Sequence, residues 1–257
     1  MKQVLEVVSL GKKYGRSIAL ADFSLSIRAG SIHGLLGPNG SGKTTALHIL
    51  TGLIVPDVGS SKVNGLSTES KKSRSLIGFA PDDLPMPATL SGKEYLMFID
   101  SMRERKDSKT AEPLIEALGL ENDLSKQIGQ YSHGMKRKLQ IVAAMMHTPE
   151  LVVLDEPFRG LDPDASSVLR ETLSSFAASG RAVLIATHDM LRAERDCEAV
   201  TVLSKGSIVA AGAPKDLVGE HSATNLEEVF LRVTGLHQSG SGRRELLTNL
   251  FSRNEEG

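Results

Sequence analysis

The chain of 257 residues carries 30 basic and 31 acidic side chains for a net charge of −1, and 40% of it is hydrophobic. That length can bury a sizeable core as one large domain or two small ones, and so even a charge balance supplies no field to attract a nucleic acid or an anionic membrane, so no nucleic-acid partner is expected. Cys197 is the only cysteine, which excludes an internal disulfide and a thiolate zinc site and suits a reducing compartment, so a cytoplasmic address is expected.

In chain order, Val4 to Ile27 shows short apolar alternations separated by Gly11 to Gly15 and by Asp22, the pattern of an antiparallel sheet. Neither a signal region at Met1 nor a transmembrane run is visible, because the longest apolar stretches, such as Leu151 to Leu154 and Ala182 to Ala186, fall far short of the roughly 18 residues needed to span a bilayer. Ser31 to Leu36 is an apolar strand that runs directly into Gly37 to Gly42, and Lys43 to Leu50 then has helical spacing that stops at Gly52 and Pro56. Val63 to Gly65 and Leu76 to Ala80 read as further strands, with a proline- and acid-rich loop at Pro81 to Pro87. Helical spacing over Glu94 to Arg105 and Ala111 to Leu118 makes about 88–147 a mostly helical insert.

An α/β pattern then resumes. Leu151 to Leu154 and Ala182 to Ala186 are strands of the buried type, ending in Asp155-Glu156 and in Thr187-His188-Asp189. Polar groups at strand carboxyl ends raise the expectation of a ligand site, because open α/β sheets gather ligands there. Ala199 to Leu203 and Ser207 to Ala211 read as a hairpin turned by Lys205-Gly206. The tail from His237 is polar, and Leu246, Leu247, Leu250 and Phe251 share one helical face within Arg243 to Arg253.

The chemistry concentrates in Gly37, Pro38, Asn39, Gly40, Ser41, Gly42, Lys43 and Thr44, followed by Thr45, which match the phosphate-loop pattern between a strand and a helix. Glycines let successive backbone N–H groups converge on phosphate oxygens, the helix N-terminus adds positive potential, Lys43 reaches the terminal phosphates, and the Thr44 hydroxyl ligates Mg²⁺. Asp155 would then hold the cation through its water shell and Glu156 would polarise an attacking water, although an acidic pair at a strand end is common in solvated turns as well. At this point an ATPase, a GTPase and a small-molecule kinase all remain open.

Tyr131, Ser132, His133, Gly134 and Met135 precede a basic and then apolar helix shortly before the strand ending in Asp155. This run resembles the signature of ATP-binding cassette (ABC) ATPases, usually Leu-Ser-Gly-Gly-Gln, and other elements of that family follow in order from Tyr14 to about Gly235. The resemblance implies an α/β fold with a phosphate-loop NTPase (RecA-like) core, an N-terminal antiparallel β subdomain and an inserted helical subdomain. It divides the chain into a nucleotide-binding domain over 1–220 and a C-terminal helix with polar tail over 221–257. It implies ATP and Mg²⁺ as cofactors, Tyr14 stacked on adenine, His188 as the switch histidine at the γ-phosphate, and Asp162 in a loop with Gly160, Leu161 and Pro163 that crosses a dimer. Ser132 and Gly134 would cap the nucleotide of a second ATPase subunit, most simply another copy of this chain, and a separate membrane permease would hold the pair at the inner face of the cell membrane.

Departures from the family pattern are Asp82 in place of the usual Gln, His133 for a signature glycine and Met135 for glutamine. A carboxylate at 82 can reach Mg²⁺ or its water but cannot donate as an amide does. The signature, the Pro81 to Asp83 loop and Asn225 to Gly235 look like the ATPases of type-2 exporters, the group that includes antibiotic and drug efflux systems. A soluble ABC ATPase acting on a protein or nucleic-acid assembly is the alternative, and the usual double cassette or long coiled-coil insert of such proteins is missing from the sequence.

Overall fold

The computed structural model describes residues 2–83, 85–103 and 111–236. Two sheets and the helices around them share the work of burial. The first sheet pairs β1 (Gln3–Tyr14) with β2 (Ser17–Arg28), then adds β4 (Val58–Val63) and β5 (Leu66–Ser67), all antiparallel, in the order β2-β1-β4-β5. The second holds β3 (Ile32–Leu36), β6 (Ile77–Ala80), β7 (Leu151–Asp155), β8 (Ala182–Thr187), β9 (Ala199–Ser204) and β10 (Ser207–Gly212) in the order β10-β9-β3-β8-β7-β6. Its strands are parallel except β10, which returns antiparallel to β9 through the turn at Lys205-Gly206.

Period-two alternation explains the layering. Along β7, Leu151 and Val153 face the antiparallel sheet, where they join Leu5, Leu10, Phe23 and Leu47, whereas Val152 and Leu154 face the opposite layer of helices. A parallel strand buried on both faces has no polar positions to give, which accounts for the unbroken apolar runs. The helices comprise α1 (Lys43–Leu50), α2 (Lys71–Arg74), α3 (Gly92–Met102), α4 (Glu112–Ala117), α5 (His133–Met145), α6 (Pro163–Ala178), α7 (Met190–Asp196), α8 (Pro214–Glu220) and α9 (Leu226–Thr234). All of the chain described between β6 and β7 is helix or loop, and α5 lies against β6 and β7.

Several local expectations shift. Gly11 does not end the first strand: β1 runs through it to Tyr14, because the position needs closeness instead of a turn, and a Cβ there would sit 2.6 Å from Val58 Cγ2. Asp22 likewise lies inside β2 as an irregularity with φ of 53°, which slips the pairing with β1 without ending it. Helix α3 begins before Glu94, since Ser91 accepts from the Glu94 N–H while the Glu94 carboxylate accepts from the Ser91 backbone. Its expected end at Arg105, and the amphipathic pattern of 243–253, lie outside the described residues. Among the described residues no helix is long and apolar enough to cross a membrane.

Candidate functional site

Four adjacent parallel strands deliver the site. β3, β8, β7 and β6 end in register, with Leu36 beside Thr187 and Ala186 beside Asp155, so the glycine loop, His188, Asp155-Glu156 and Asp82 emerge side by side at one edge of the sheet.

The glycine loop is shaped by what surrounds it. A Cβ on Gly37 would run into the Leu203 carbonyl oxygen, and one on Gly42, which has φ of 109°, into the Ala19 carbonyl oxygen. The loop is therefore clamped between β2 and the β9–β10 turn, where Gly206 N–H donates to the Ser41 carbonyl at 2.9 Å. Gly42 caps α1 without any side-chain bond, so the first N–H groups of that helix stay open for an anion. Ser41 Oγ is buried without a partner among the described residues, as expected of a group awaiting one. Lys43 Nζ donates to the Gly37 carbonyl at 2.6 Å and to the Pro38 carbonyl at 3.2 Å, folding over the loop it would share with phosphates. Burial lowers its pKa while Glu156 and Asp155 pull it back up.

Glu156 has φ of 50°, which turns its side chain out of the line of β7. Its carboxylate accepts from Thr187 Oγ1 at 2.9 Å and the His188 N–H at 2.9 Å, and lies 2.6 Å from His188 Nδ1. With the carboxylate as acceptor, His188 carries its proton on Nδ1 and turns Nε2 outward. Three of about four acceptor directions on Glu156 are thus used, which leaves room on Oε2 for a water. Asp155 differs: no donor among the described residues reaches its carboxylate. Burial first, then Asp82 and Glu156, push its pKa up to about 6, against the pull of Lys43 and Arg137.

A half-buried carboxylate without a donor, two further carboxylates and the Thr44 hydroxyl line one cavity and form a hard oxygen set that fits Mg²⁺. Among the described residues no three acidic, His or Cys side chains stand close enough to cage a metal alone. Such an arrangement suits a cation that retains waters and takes phosphate oxygens as its remaining ligands.

One cavity of about 640 Å³ unites most of these groups: Asn39 to Thr45 on one side, Asp82, Asp155, Glu156 and His188 on the other, and Tyr14 at the rim. Tyr14 is half exposed with Lys12 Nζ 5.9 Å from its ring centre, leaving a ring face open at the cavity mouth. Gly37 and Pro38 line an adjoining hollow of about 300 Å³ with Asn39, His188 and the first turns of α9. Ser132, Gly134 and Asp162 lie elsewhere. Ser132 caps α5 by accepting from Met135 N–H at 3.1 Å, and Asp162 caps α6 by accepting from Ala165 N–H at 2.7 Å. Gly134 packs against the Gly160 carbonyl, and His133 covers Gly160.

Two arginines escaped the reading from sequence. Arg159 lines the cavity and bonds Asp82 Oδ2 at 2.6 Å. Arg137 is buried and donates to the Pro81 carbonyl at 2.6 Å, to Gln140 Oε1 at 3.2 Å and to the Asp155 carbonyl oxygen, so it ties α5 to the ends of β6 and β7. In sequence Arg137 stands between two lysines and looks like part of a solvated face. The period of α5 could have singled it out, because it shares a stripe with Ile141 and Ala144.

The family described as ABC transporter matches residues 20–159. The Nod factor export ATP-binding protein I of Burkholderia orbicola is 35% identical over 224 residues, covering 85% of this chain and 74% of that protein. The linearmycin resistance ATP-binding protein LnrL of Bacillus subtilis is 32% identical over 241 residues, covering 92% and 77%. A solved ATP-binding subunit of an ABC transporter superposes with a TM-score of 0.84 at 29% identity, over 90% of this chain and 99% of that one. An ATP-binding cassette in its ADP conformation superposes with a TM-score of 0.75 at 21% identity, a likeness of fold.

Proposed function

The chain belongs to the ABC transporter family as an ATP-hydrolysing subunit, and from that premise we propose that it powers an exporter as one half of a paired nucleotide clamp. The observation that carries this reading is the convergence of Lys43, Thr44, Asp155, Glu156 and His188 on a single cavity with Tyr14 at its mouth. Backbone N–H groups of Gly40 to Lys43 and the Lys43 ammonium bind the phosphates, and Tyr14 offers a ring face to the base. Thr44, Asp155 and Asp82 would hold Mg²⁺, which when bound would supply charge neutralisation as the terminal phosphate leaves. Glu156 orients a water and accepts its proton, while His188, fixed by Glu156, presents Nε2 towards the terminal phosphate.

The positions of Ser132 and Asp162, both exposed, and of Gly134, partly exposed beside them, support the second half of the proposal. Each stands at or beside a helix N-terminus outside the cavity, where it is available to the nucleotide of a second copy of this chain. Export is supported by the names of the two relatives, one a Nod factor export protein and the other a linearmycin resistance protein. The exposed apolar side chains Met97, Phe98 and Met102 on α3 supply a surface for a permease, which would hold the protein at the inner face of the membrane. Hydrolysis measured on the full chain tests the central claim. Lys43→Ala removes charged hydrogen bonds of about 1.5–3 kcal/mol, so ATP affinity is expected to fall at least tenfold and turnover with it. Unchanged binding and turnover would remove the phosphate loop from the reaction.

A further inference from the structure

Arg159 and Asp82 both line the nucleotide cavity, and their side chains bond to each other at 2.6 Å. Asp82 is the residue that departs from the amide expected at that place, and its partner follows Glu156 by three positions. Their backbones are fixed. Arg159 N–H donates to the Glu156 carbonyl at 3.1 Å, and buried Arg137 holds the Pro81 and Asp155 carbonyls from beneath. Freedom is therefore left to the two side chains, of which the Arg159 side chain is 61% exposed and that of Asp82 27%. An ion pair this open to water is weak, so it holds only while nothing better is offered to either partner. Something better is implied by the cavity: a guanidinium is a planar fork that suits phosphate oxygens, and a carboxylate beside Asp155 suits a hydrated divalent cation.

We propose that this pair is an exchangeable latch, opened when the terminal phosphate of a nucleoside triphosphate takes Arg159 and the accompanying Mg²⁺ takes Asp82. The inference rests on the nucleotide reading above and adds to it a phosphate-contacting arginine and a reason for the carboxylate. A Gln at 82 could not be held by Arg159 as an ion pair, so the departure at 82 and the cation at 159 form one device.

Equilibrium binding of ATP and of ADP to the full chain, each with and without Mg²⁺, tests the latch in the absence of turnover. Arg159→Gln is expected to weaken ATP about tenfold while ADP changes much less, and Arg159→Lys to keep more of the preference for ATP. Asp82→Asn is expected to cut the gain in ATP affinity given by Mg²⁺ by about tenfold, without weakening ATP when Mg²⁺ is absent. Melting curves should show all three variants folded, since neither side chain is part of the core. Equal effects of Arg159→Gln on ATP and ADP, or an unaltered Mg²⁺ gain in Asp82→Asn, overturn the latch. Lys43→Ala separates the two claims: if it abolishes binding while Arg159→Gln is silent, only the latch falls, and if it leaves binding intact the nucleotide reading falls with it.

Discussion

Individual residues divide by whether their work is local. Glycines 37, 40 and 42 with Lys43 and Thr44 were readable because a phosphate loop is built from consecutive backbone groups, and Asp155 and Glu156 because they end a buried strand. Arg159 and Arg137 were not, since each acts on a partner distant in sequence, Asp82 in one case and the Pro81 and Asp155 carbonyls in the other. Glu156 bears the first test at this scale. Glu156→Gln keeps size and accepting oxygen but cannot take a proton, so hydrolysis should slow by about 10²–10⁴-fold while ATP still binds, as single-turnover and binding assays would report. A rate close to normal would move the base elsewhere. A second test concerns stability, at His33, which burial holds down to a pKa of about 4 beside Thr201 Oγ1 at 2.9 Å. Its unfolded value is near 6.5, so between these limits the unfolded chain binds the extra proton, and stability present above pH 6.5 is lost as pH falls. The loss reaches about 2 kcal/mol by pH 5, and denaturant titrations of His33→Gln against the parent at pH 7.5 and 5 should show the variant losing less. Equal losses would show that His33 takes up its proton alike in the folded and the unfolded chain, so that burial does not hold its pKa down.

Elements were legible in proportion to the purity of their periodicity. The buried strands β3, β7 and β8 were plain, whereas β4, with the sequence Val-Gly-Ser-Ser-Lys-Val and four exposed positions, was seen only at its end because a run of small and polar residues has no apolar alternation. The helix α6 went unread behind the motif that starts it, although Asp162 and Pro163 are good signals for a cap and a first turn. At α3 the periodicity holds a message beyond burial. Tyr95 and Leu96 face the core, yet Met97, Phe98 and Met102 are more than half exposed, a distribution that folding of this chain alone does not require. If that face is where a permease docks, Phe98→Lys should break copurification with the cognate membrane protein while the melting temperature and the ATP affinity of the isolated chain stay unchanged. The capping box at Ser91 keeps the helix formed in either case. Retained copurification would place the permease contact on another face.

At the scale of the whole molecule, the sequence order of motifs predicted the α/β core, yet the distance between the two halves of the proposed site became visible only in three dimensions. Ser132, Gly134 and Asp162 share neither cavity nor hydrogen bond with Lys43 in one chain, and Ser132 and Asp162 each already cap a helix N-terminus. An isolated chain therefore has phosphate contacts on one side of the nucleotide and water on the other. In the two-fold dimer proposed above the same patch would serve both subunits, so each nucleotide would be enclosed by the loop of one chain and the α5 terminus of its partner. That geometry makes a complementation experiment decisive. A Lys43→Ala chain and a Gly134→Asp chain should each be inactive alone, the first for lack of a phosphate cation and the second because a carboxylate faces the phosphate. Mixed, they form dimers in which one site joins an intact loop to an intact α5 terminus while the other site carries both defects, so part of the turnover should return. Recovery should rise with protein concentration, as association requires. Turnover that remains absent in the mixture at every concentration, with both variants folded and able to pair, would mean that each chain completes its own site.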